Sequence, residues 1–235
     1  MGERRSRTRL SIASYNVHRC VGLDGQHAPA RVAEVLRQLD ADVIGLQEVD
    51  RLDDLASAVG CEAIAGRTLL HDGGHHGNAL LTRRPVLAVR RIDLSVPGRE
   101  PRGALDVDLD VDGALVRVVV THLGLNPSER RRQVQRLVAE LGDDRRGRIV
   151  LLGDINEWFP ASLVLRRLHA RLGRPRAVAT FPSRRPMLAL DRIWVQAREA
   201  LIALVAHASP LARIASDHLP VRGTIEWGLV PLRSG

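Results

Sequence analysis

Short apolar segments with the length of β-strands alternate with helix-like segments along the whole chain. Two of the apolar segments, residues 43–46 and 149–152, show no polar alternation, which is typical of strands covered on both faces. Strands and helices interleaved in this way predict an α/β domain with mixed sheets. Because no linker-like or low-complexity segment interrupts the pattern, one domain is expected over residues 9–228. We expect a basic, flexible N-terminus at residues 1–8 and a C-terminal tail at residues 229–235.

Eight strands and four helices are predicted from periodicity and turn signals. The strands cover residues 10–16, 42–48, 78–82, 104–111, 115–122, 149–153, 192–195 and 221–226, and the helices cover residues 29–39, 53–59, 127–141 and 160–172. The third helix has the clearest start. Asn126 can cap it, Pro127 suits its first turn, and Glu129 occupies the acidic position of a capping box.

One predicted strand carries a charged face. Asp106, Asp108 and Asp110 alternate with apolar residues, which predicts a half-exposed strand. Asp112 and Gly113 then predict a hairpin turn into the next strand.

Composition narrows the class of protein. A hydrophobic fraction of 45% excludes wholesale disorder, and no apolar run approaches the roughly 20 residues that cross a bilayer. The arginine-rich start is not followed by a long apolar stretch, so we expect no signal peptide, a cytoplasmic location and reduced thiols at Cys20 and Cys61. The net charge is +8, and every one of the 35 basic residues counted in it is an arginine. This charge favours phosphate-bearing partners only slightly. A monomer without an obligate protein partner is expected.

Polar residues collect at the carboxyl ends of the predicted apolar strands, where α/β folds assemble sites from distant segments. They are Asn16, Gln47, Glu48, Thr121, His122, Asp154 and Asn156, together with Ser216, Asp217 and His218 just before the last strand. The carboxylate and amide oxygens in this set suit Mg²⁺ or Mn²⁺ rather than zinc.

Two pairs within this set have a further chemical meaning. Asp154 and Asn156 are two residues apart, so in an extended backbone they would point the same way and could hold one water. The histidines His122 and His218, placed among carboxylates, can donate to a phosphoryl oxygen and stabilise charge in a transition state.

Seven segments together resemble the endonuclease/exonuclease/phosphatase superfamily, which has the DNase I-like fold. They are SYNVHR (14–19), LQEVD (46–50), GNALLT (77–82), THLGL (121–125), GDIN (153–156), LDRIWV (190–195) and SDHLPV (216–221). Each segment alone is a weak signal, but all occur in the family's order. The resemblance implies a four-layer sandwich of two packed mixed β-sheets flanked by helices, and Mg²⁺-dependent hydrolysis of a phosphoester.

The resemblance also implies roles for individual residues. Glu48 resembles the principal metal ligand of the family, with Asn16 and Asp217 near the same ion. Asp154 matches the residue that orients or deprotonates the attacking water, and Asn156 matches the one that holds the nucleophile and phosphate.

The imidazoles of the family have counterparts as well. His218 resembles the phosphate-binding histidine, and Asp191 would fix its tautomer by accepting its other N–H. His122 resembles the second histidine, which donates to the phosphate or to the leaving oxygen.

Substrate-binding residues are predicted from their position near these motifs. Asn78 is a candidate phosphate contact, and His18 and Arg19 follow a metal-ligand candidate closely. Arg184 and Arg185 lie on a segment that is expected to hang over the pocket.

Other residues are weaker candidates. Arg192 stands where the family often has an aromatic residue and is expected to alter the substrate rim. One arginine of residues 130–132 could reach a substrate phosphate. A glycine-rich stretch with histidines at 71, 75 and 76 is expected to be a mobile loop at the mouth of the site.

Three functions are compatible with the sequence. The first is a phosphodiesterase of the nuclease type that acts on nucleic acid, although an aromatic content of 3% leaves few platforms for stacking bases. The second is a phosphodiesterase or phosphatase that acts on a small molecule or a phospholipid headgroup. The third is a phosphate-binding module without catalysis, which the complete set of catalytic residue types disfavours.

Overall fold

The computed structural model describes residues 8–71, 74–142 and 148–228, and the side chains of all of these except residues 67–71 and 74–76. The strands are β1 (Thr8–Asn16), β2 (Val43–Val49), β3 (Glu62–His71), β4 (Gly74–Thr82), β5 (Val86–Asp93), β6 (Gly103–Val111), β7 (Ala114–His122), β8 (Ile149–Asp154), β9 (Asp191–Val195), β10 (Leu201–Ala206) and β11 (Val221–Trp227). The helices are α1 (Pro29–Leu39), α2 (Leu52–Val59), α3 (Pro127–Leu141), α4 (Leu163–Leu172) and α5 (Ala212–Ala215).

The strands form two mixed sheets. One sheet has six strands in the order β10-β11-β1-β2-β4-β3, and the other has five in the order β5-β6-β7-β8-β9. Each sheet contains one parallel pair, β1 with β2 and β7 with β8, and the other pairs are antiparallel.

Three hydrophobic clusters divide the molecule into four layers. The central cluster lies between the two sheets and includes Ile12, Val120 and Leu152. A second cluster packs α1 and α2 on the six-stranded sheet, and a third packs α3 and α4 on the five-stranded sheet. The predicted four-layer sandwich is therefore confirmed.

Most predicted elements are present, and the differences have local causes. Helix α4 begins at Leu163, three residues later than predicted, because the Ser162 side chain accepts a hydrogen bond from Leu165 N and caps it there. The predicted cap of α3 is present, since Asn126 accepts from Ser128 N. Of the predicted terminal segments, residues 1–7 and 229–235 lie outside the described residues, whereas Thr8 belongs to β1.

The prediction of a half-exposed acidic face on β6 is wrong for one residue. Asp106 is 1% exposed, and its carboxylate accepts hydrogen bonds from Arg90 on β5 and from Arg117 on β7. Ion pairing across three strands makes its burial tolerable. The predicted hairpin turn is present, with left-handed backbone at Asp112 and Gly113.

The histidines at 71, 75 and 76 were expected in a glycine-rich loop, which is also incorrect. They belong to paired strands, because β3 and β4 align residue 71 with 74, 70 with 75 and 69 with 76. Cross-strand hydrogen bonding extends this hairpin well beyond the predicted strand start at Asn78.

The topology brings polar strand ends together. Because β1 and β2 are parallel, as are β7 and β8, their carboxyl ends meet at one edge of each sheet. Gly153 allows the close pairing of β7 and β8 there: a Cβ at its φ of +144° would lie 1.8 Å from the Thr121 carbonyl oxygen. Asp154 follows directly, so this glycine sets the position of a central site residue.

Candidate active site

A cavity of about 430 Å³ opens where these strand ends meet. Nine of the thirteen predicted site residues line it: Asn16, Arg19, Glu48, Asn78, His122, Asp154, Asn156, Asp217 and His218. A tenth, Asp191, lies behind His218. Both sheets contribute, so packing of the two sheets builds the cavity.

Two carboxylates face one amide at the centre of the cavity. Asn16 Nδ2 donates to Glu48 Oε1 at 3.2 Å and to Asp154 Oδ2 at 3.1 Å. Its Oδ1 accepts from His18 N. Since Asn16 and Glu48 come from the six-stranded sheet and Asp154 from the other, this amide joins the two halves of the site.

The turn after β8 differs from the extended backbone predicted for Asp154 and Asn156. Asn156 has a φ of +52°, and its backbone N–H donates to Asp154 Oδ1 at 2.9 Å. The Asn156 amide donates to Leu123 O and lies 3.0 Å from His122 Nε2. The two residues therefore act in different directions: Asp154 faces Asn16, and Asn156 faces His122.

His218 lies between two buried carboxylates. Its Nδ1 is 2.8 Å from Asp191 Oδ2 and its Nε2 is 3.6 Å from Asp154 Oδ2. Asp191 is held in turn by Thr180 Oγ1 at 2.6 Å. Burial lowers the pKa of His218, but Asp191 outweighs this effect and, with help from Asp154 and Asp217, raises the pKa to about 10. The imidazole is thus a cation at neutral pH.

His122 has the opposite charge state. Burial lowers its pKa to about 4, with Asp154 opposing the shift, so the ring is neutral. Donor groups face both ring nitrogens: Arg102 Nη1 lies 3.0 Å from Nδ1, and the Asn156 amide nitrogen lies 3.0 Å from Nε2. Nε2 is 3.5 Å from Asp154 Oδ2. One cationic and one neutral imidazole therefore flank the same carboxylate.

Asp154 is perturbed by the same neighbours. Burial and then Asp191 raise its pKa, while His122 and His218 act in the opposite direction. A buried carboxyl with a raised pKa binds a proton readily, which suits a group that orients or deprotonates a water.

The oxygen donors of the cavity fit a divalent cation. Asp154, Asp191 and His218 bring their ligand atoms within 4.8 Å of one another, but the cationic ring of His218 already bridges those carboxylates. Glu48 and Asp217 also line the cavity with side chains that are 30% and 33% exposed, and carboxylate oxygens are the hard ligands that Mg²⁺ and Mn²⁺ prefer.

Three predicted substrate-binding residues lie apart from this cavity. Arg184 and Arg185 are exposed and are absent from its described lining, because Arg213 and Ser183 tie their loop to the segment before β11. Phe181 of the same loop does line the cavity, 4.9 Å from the His218 ring centre. His18 bonds to Val21 O and lies 3.9 Å from Asp217.

The structure also adds residues that the sequence did not reveal. Arg102 and Glu100, from the loop before β6, line the cavity and bond to each other at 2.9 Å. Leu125 and Trp158 line its mouth and are 74% and 60% exposed. Arg130, by contrast, is buried and bonds to Gly124 O and Leu125 O, which makes it a support of the mouth.

Known proteins resemble this chain in sequence over most of its length. The model of the Endonuclease/Exonuclease/phosphatase family matches residues 13–218. The chain is similar to the uncharacterized protein YbhP of Escherichia coli K12, with 29% identity over 247 aligned positions that cover 92% of this chain and 96% of YbhP. No helix among the described residues has the length and apolar character needed to cross a membrane.

Solved structures show the same fold. A conserved protein of unknown function from Enterococcus faecalis V583 superimposes with a TM-score of 0.76 at 20% identity, covering 94% of this chain and all of that one. D. rerio TDP2, complexed with a single-strand DNA product, has a TM-score of 0.69 at 19% identity, covering 92% and 98%. The mannosyl-6-phosphatase Bt3783 of Bacteroides thetaiotaomicron also has a TM-score of 0.69, at 20% identity and with 91% and 98% covered.

Proposed function

Because the chain belongs to the endonuclease/exonuclease/phosphatase family, we propose that it is a phosphoester hydrolase that uses a divalent cation, Mg²⁺ or Mn²⁺. The observation that carries the proposal is the arrangement around Asp154: a buried carboxylate flanked by the cationic His218 and the neutral His122, with Glu48 beside it. Perturbed pKa values cluster at functional sites, and here a carboxyl with a raised pKa shares one cavity with two imidazoles of different charge.

Each residue has a role that follows from its contacts. Asp154 orients the attacking water and accepts its proton. His218 presents Nε2–H to a phosphoryl oxygen, and Asp191 is the positioning residue that holds the ring. His122 donates to the phosphate or to the leaving oxygen, and Asn156, whose amide nitrogen lies 3.0 Å from the ring, holds the phosphate beside it.

The cation would be held by Glu48 and Asp217, with Asn16 positioning Glu48 through Nδ2. When bound, it would neutralise phosphate charge and polarise a phosphoryl oxygen. Asn78 and Arg19, which line the cavity, supply further donors to the substrate phosphate.

The phosphodiesterase or nuclease type remains the first candidate. Arg19 and Arg102 add cationic donors to the cavity, and the TDP2 structure with a single-strand DNA product shows that a protein of this fold can hold nucleic acid. Cytoplasmic location and a monomeric state stay predictions from the sequence.

A lipid-headgroup or small-molecule phosphoester is the second candidate, favoured by the surface around the mouth. Two large apolar side chains that line the mouth, Leu125 and Trp158, are 74% and 60% exposed, and neighbouring exposed apolar side chains mark binding surfaces. Aromatic and aliphatic side chains at the rim suit a substrate with an apolar portion.

A parallel hydrolysis assay separates these candidates. A chromogenic phosphodiester, a phosphomonoester, single-stranded DNA, RNA and a phospholipid are each incubated with Mg²⁺, using wild type and Asp154→Ala. Turnover by the wild type alone supports the hydrolase, and the substrate that is cleaved identifies the class. Silence of the wild type on every substrate would contradict the proposal and favour a phosphate-binding module without catalysis.

A further inference from the structure

A second cavity, of about 250 Å³, adjoins the active site and shares one wall with it. That wall is Trp158, which lines both cavities. The second cavity lies between α4 and the segment 174–192 and is lined by Arg174, Arg192 and His169 among apolar residues. None of the catalytic roles described above uses these three side chains.

Arg192 is a buried cation whose hydrogen-bonding capacity is incompletely used. It is 7% exposed, and its Nε is buried without a hydrogen-bond partner. Its electrostatic partner Glu157 is engaged elsewhere, since Oε2 lies 3.4 Å from Arg130 and Oε1 accepts from Phe159 N. Burial lowers the pKa of Arg192 accordingly, against the opposing effect of Glu157. A ligand with an acceptor oxygen would give this buried donor the hydrogen bond that it lacks.

The other polar groups of the cavity favour the same ligand. His169 Nε2 is also buried and unpartnered, and burial lowers the pKa of this ring with help from Arg192 and Arg174. Among the described residues that line the cavity, none is acidic. Two guanidinium groups and a neutral imidazole can all donate, so the fitting ligand is an anion with several acceptor oxygens.

We propose that this cavity is a second phosphate-binding site and that it takes a second phosphate of the same substrate. The bridging part rests on the proposed hydrolase function, whereas phosphate binding in the cavity stands by itself. Because Trp158 borders both cavities, a ligand whose scissile phosphate lies near Asp154 would pass this indole before its second phosphate meets Arg192. The substrate class is therefore a phosphoester that carries another phosphate.

Site-resolved NMR tests the binding. Inorganic phosphate is titrated into the ¹⁵N-labelled full-length chain while the Arg192 Nε–H and the backbone amides of Leu188 and Ala189 are followed. We expect these signals to shift and saturate. Arg174→Ala should weaken the apparent affinity at least fivefold, and Arg176→Ala, an exposed arginine two residues away that is outside the cavity lining, should leave it unchanged.

The outcomes distinguish this inference from the catalytic proposal. The proposal of a second site is overturned if the signals near Arg192 do not shift during the titration, or if they shift with the same apparent affinity in Arg174→Ala as in wild type. The amides of Asn156 and His218 report on the active site in the same spectra, so failure there is seen separately. Arg192→Gln, checked for an unchanged thermal midpoint, gives a second route to the same loss.

Bridging is tested with two nitrophenyl phosphodiesters that differ only in a second phosphate. The wild type should show at least a fivefold higher kcat/KM for the bisphosphate, and Arg174→Ala should remove that advantage while Arg176→Ala keeps it. Equal kcat/KM for both esters in the wild type would overturn the substrate class. If neither ester is cleaved, the hydrolase proposal fails for these esters. The second phosphate-binding site is then tested by whether the bisphosphate displaces inorganic phosphate, as followed by the Arg192 Nε–H signal.

Discussion

Three non-glycine residues that line the active site have left-handed backbone. The φ angles are 50° at Arg19, 54° at Glu48 and 52° at Asn156. Such conformations cost about 1–3 kcal/mol each and persist where surrounding contacts hold them. For Asn156 these contacts are the bonds to Asp154 Oδ1 and Leu123 O. We therefore expect the left-handed backbone that places the Asn156 amide in the site to lower the stability of the fold.

Replacing Asn156 separates the two effects. Asn156→Gly suits a φ of +52°, whereas Asn156→Ala retains the steric penalty, so the glycine variant should be more stable by about 1 kcal/mol. Both variants lose the amide beside His122 and should turn over substrate slowly. Urea unfolding and steady-state kinetics measure the two properties. Equal stability of the two variants would show that the backbone there is not strained.

Glu48→Gln tests the acidic side of the cavity with minimal change in shape. The Glu48 side chain is 30% exposed, so its charge is not required for folding, and the thermal midpoint should stay near that of wild type. Hydrolysis should fall by about 100-fold or more because the oxygen donor for the cation is weakened. Glu100→Gln, in the same cavity, is the matched control and should keep kcat within a few-fold. Full turnover by Glu48→Gln would remove its predicted role.

Cavity residues that end an apolar strand could be predicted from the sequence, whereas residues whose position depends on the course of a loop could not. Asn16, His122 and Asp154 were predictable because each closes an apolar strand. Arg102 was not, because the chain contains many arginines and no periodic pattern marks the loop before β6. The positions of Arg184 and Arg185 outside the described lining of the cavity were not predictable either, because sequence proximity to Asp191 does not show how Ser183 and Arg213 anchor that loop.

At the level of elements, the strands that sequence analysis missed are edge strands. β3, β5 and β10 each end a sheet, so each has only one neighbour and a mixed, partly exposed face. In β5, for example, Leu87 is 58% exposed while Val86 packs against the core. Burial supplies the hydrophobic pattern by which strands are recognised, and it is weak in β5 and β10, whereas β9 is an edge strand that is fully buried and was predicted.

The ion pairs of Asp106 compensate for this weakness at β5. Arg90 of β5 and Arg117 of β7 both bond to its carboxylate at 2.7–3.2 Å. Burial raises the pKa of Asp106, but the hydrogen bonds from Arg117 and Arg90 outweigh it and hold the pKa below its usual value. The edge strand is therefore tied to the sheet by charge in addition to backbone pairing.

The pH dependence of stability follows from this shift. The pKa of Asp106 is lower in the folded state than in the unfolded state. The carboxylate therefore contributes fully to the stability of the fold above its unfolded pKa of about 4, and this contribution is lost as the pH falls through the folded pKa. At pH 7 the free energy of unfolding of Asp106→Asn should be about 3 kcal/mol lower than that of wild type. This difference should shrink below pH 4. Urea unfolding at pH 7, 5 and 3 measures it. Asp108→Asn, more exposed, should lose less, and a difference for Asp106→Asn that is independent of pH would contradict the assignment.

At the scale of the whole molecule, the active site joins the two sheets. Asn16 and Glu48 belong to one sheet, Asp154 to the other, and the bond from Asn16 to Asp154 crosses between them. Asn78 of β4 crosses in the same way to Gly103 O at 2.8 Å. Separation of the two sheets would therefore disrupt the site. Binding of a ligand in the site is in this way coupled to the packing of the two sheets against each other.

This coupling predicts that the cation stabilises the whole domain. A ligand that binds only the folded state adds about 2.7 kcal/mol at a concentration of 100 times its Kd. For a chain of 235 residues this corresponds to a rise in Tm of about 5–10 °C. The rise should be seen with Mg²⁺ or Mn²⁺ by calorimetry and should vanish in Glu48→Ala. Asp53→Asn, which removes an exposed carboxylate from α2, controls for loose binding of cations to surface acids and should keep the full rise. If Glu48→Ala gains as much as wild type, the cation binds outside this cavity, and the link between occupancy and cohesion is absent.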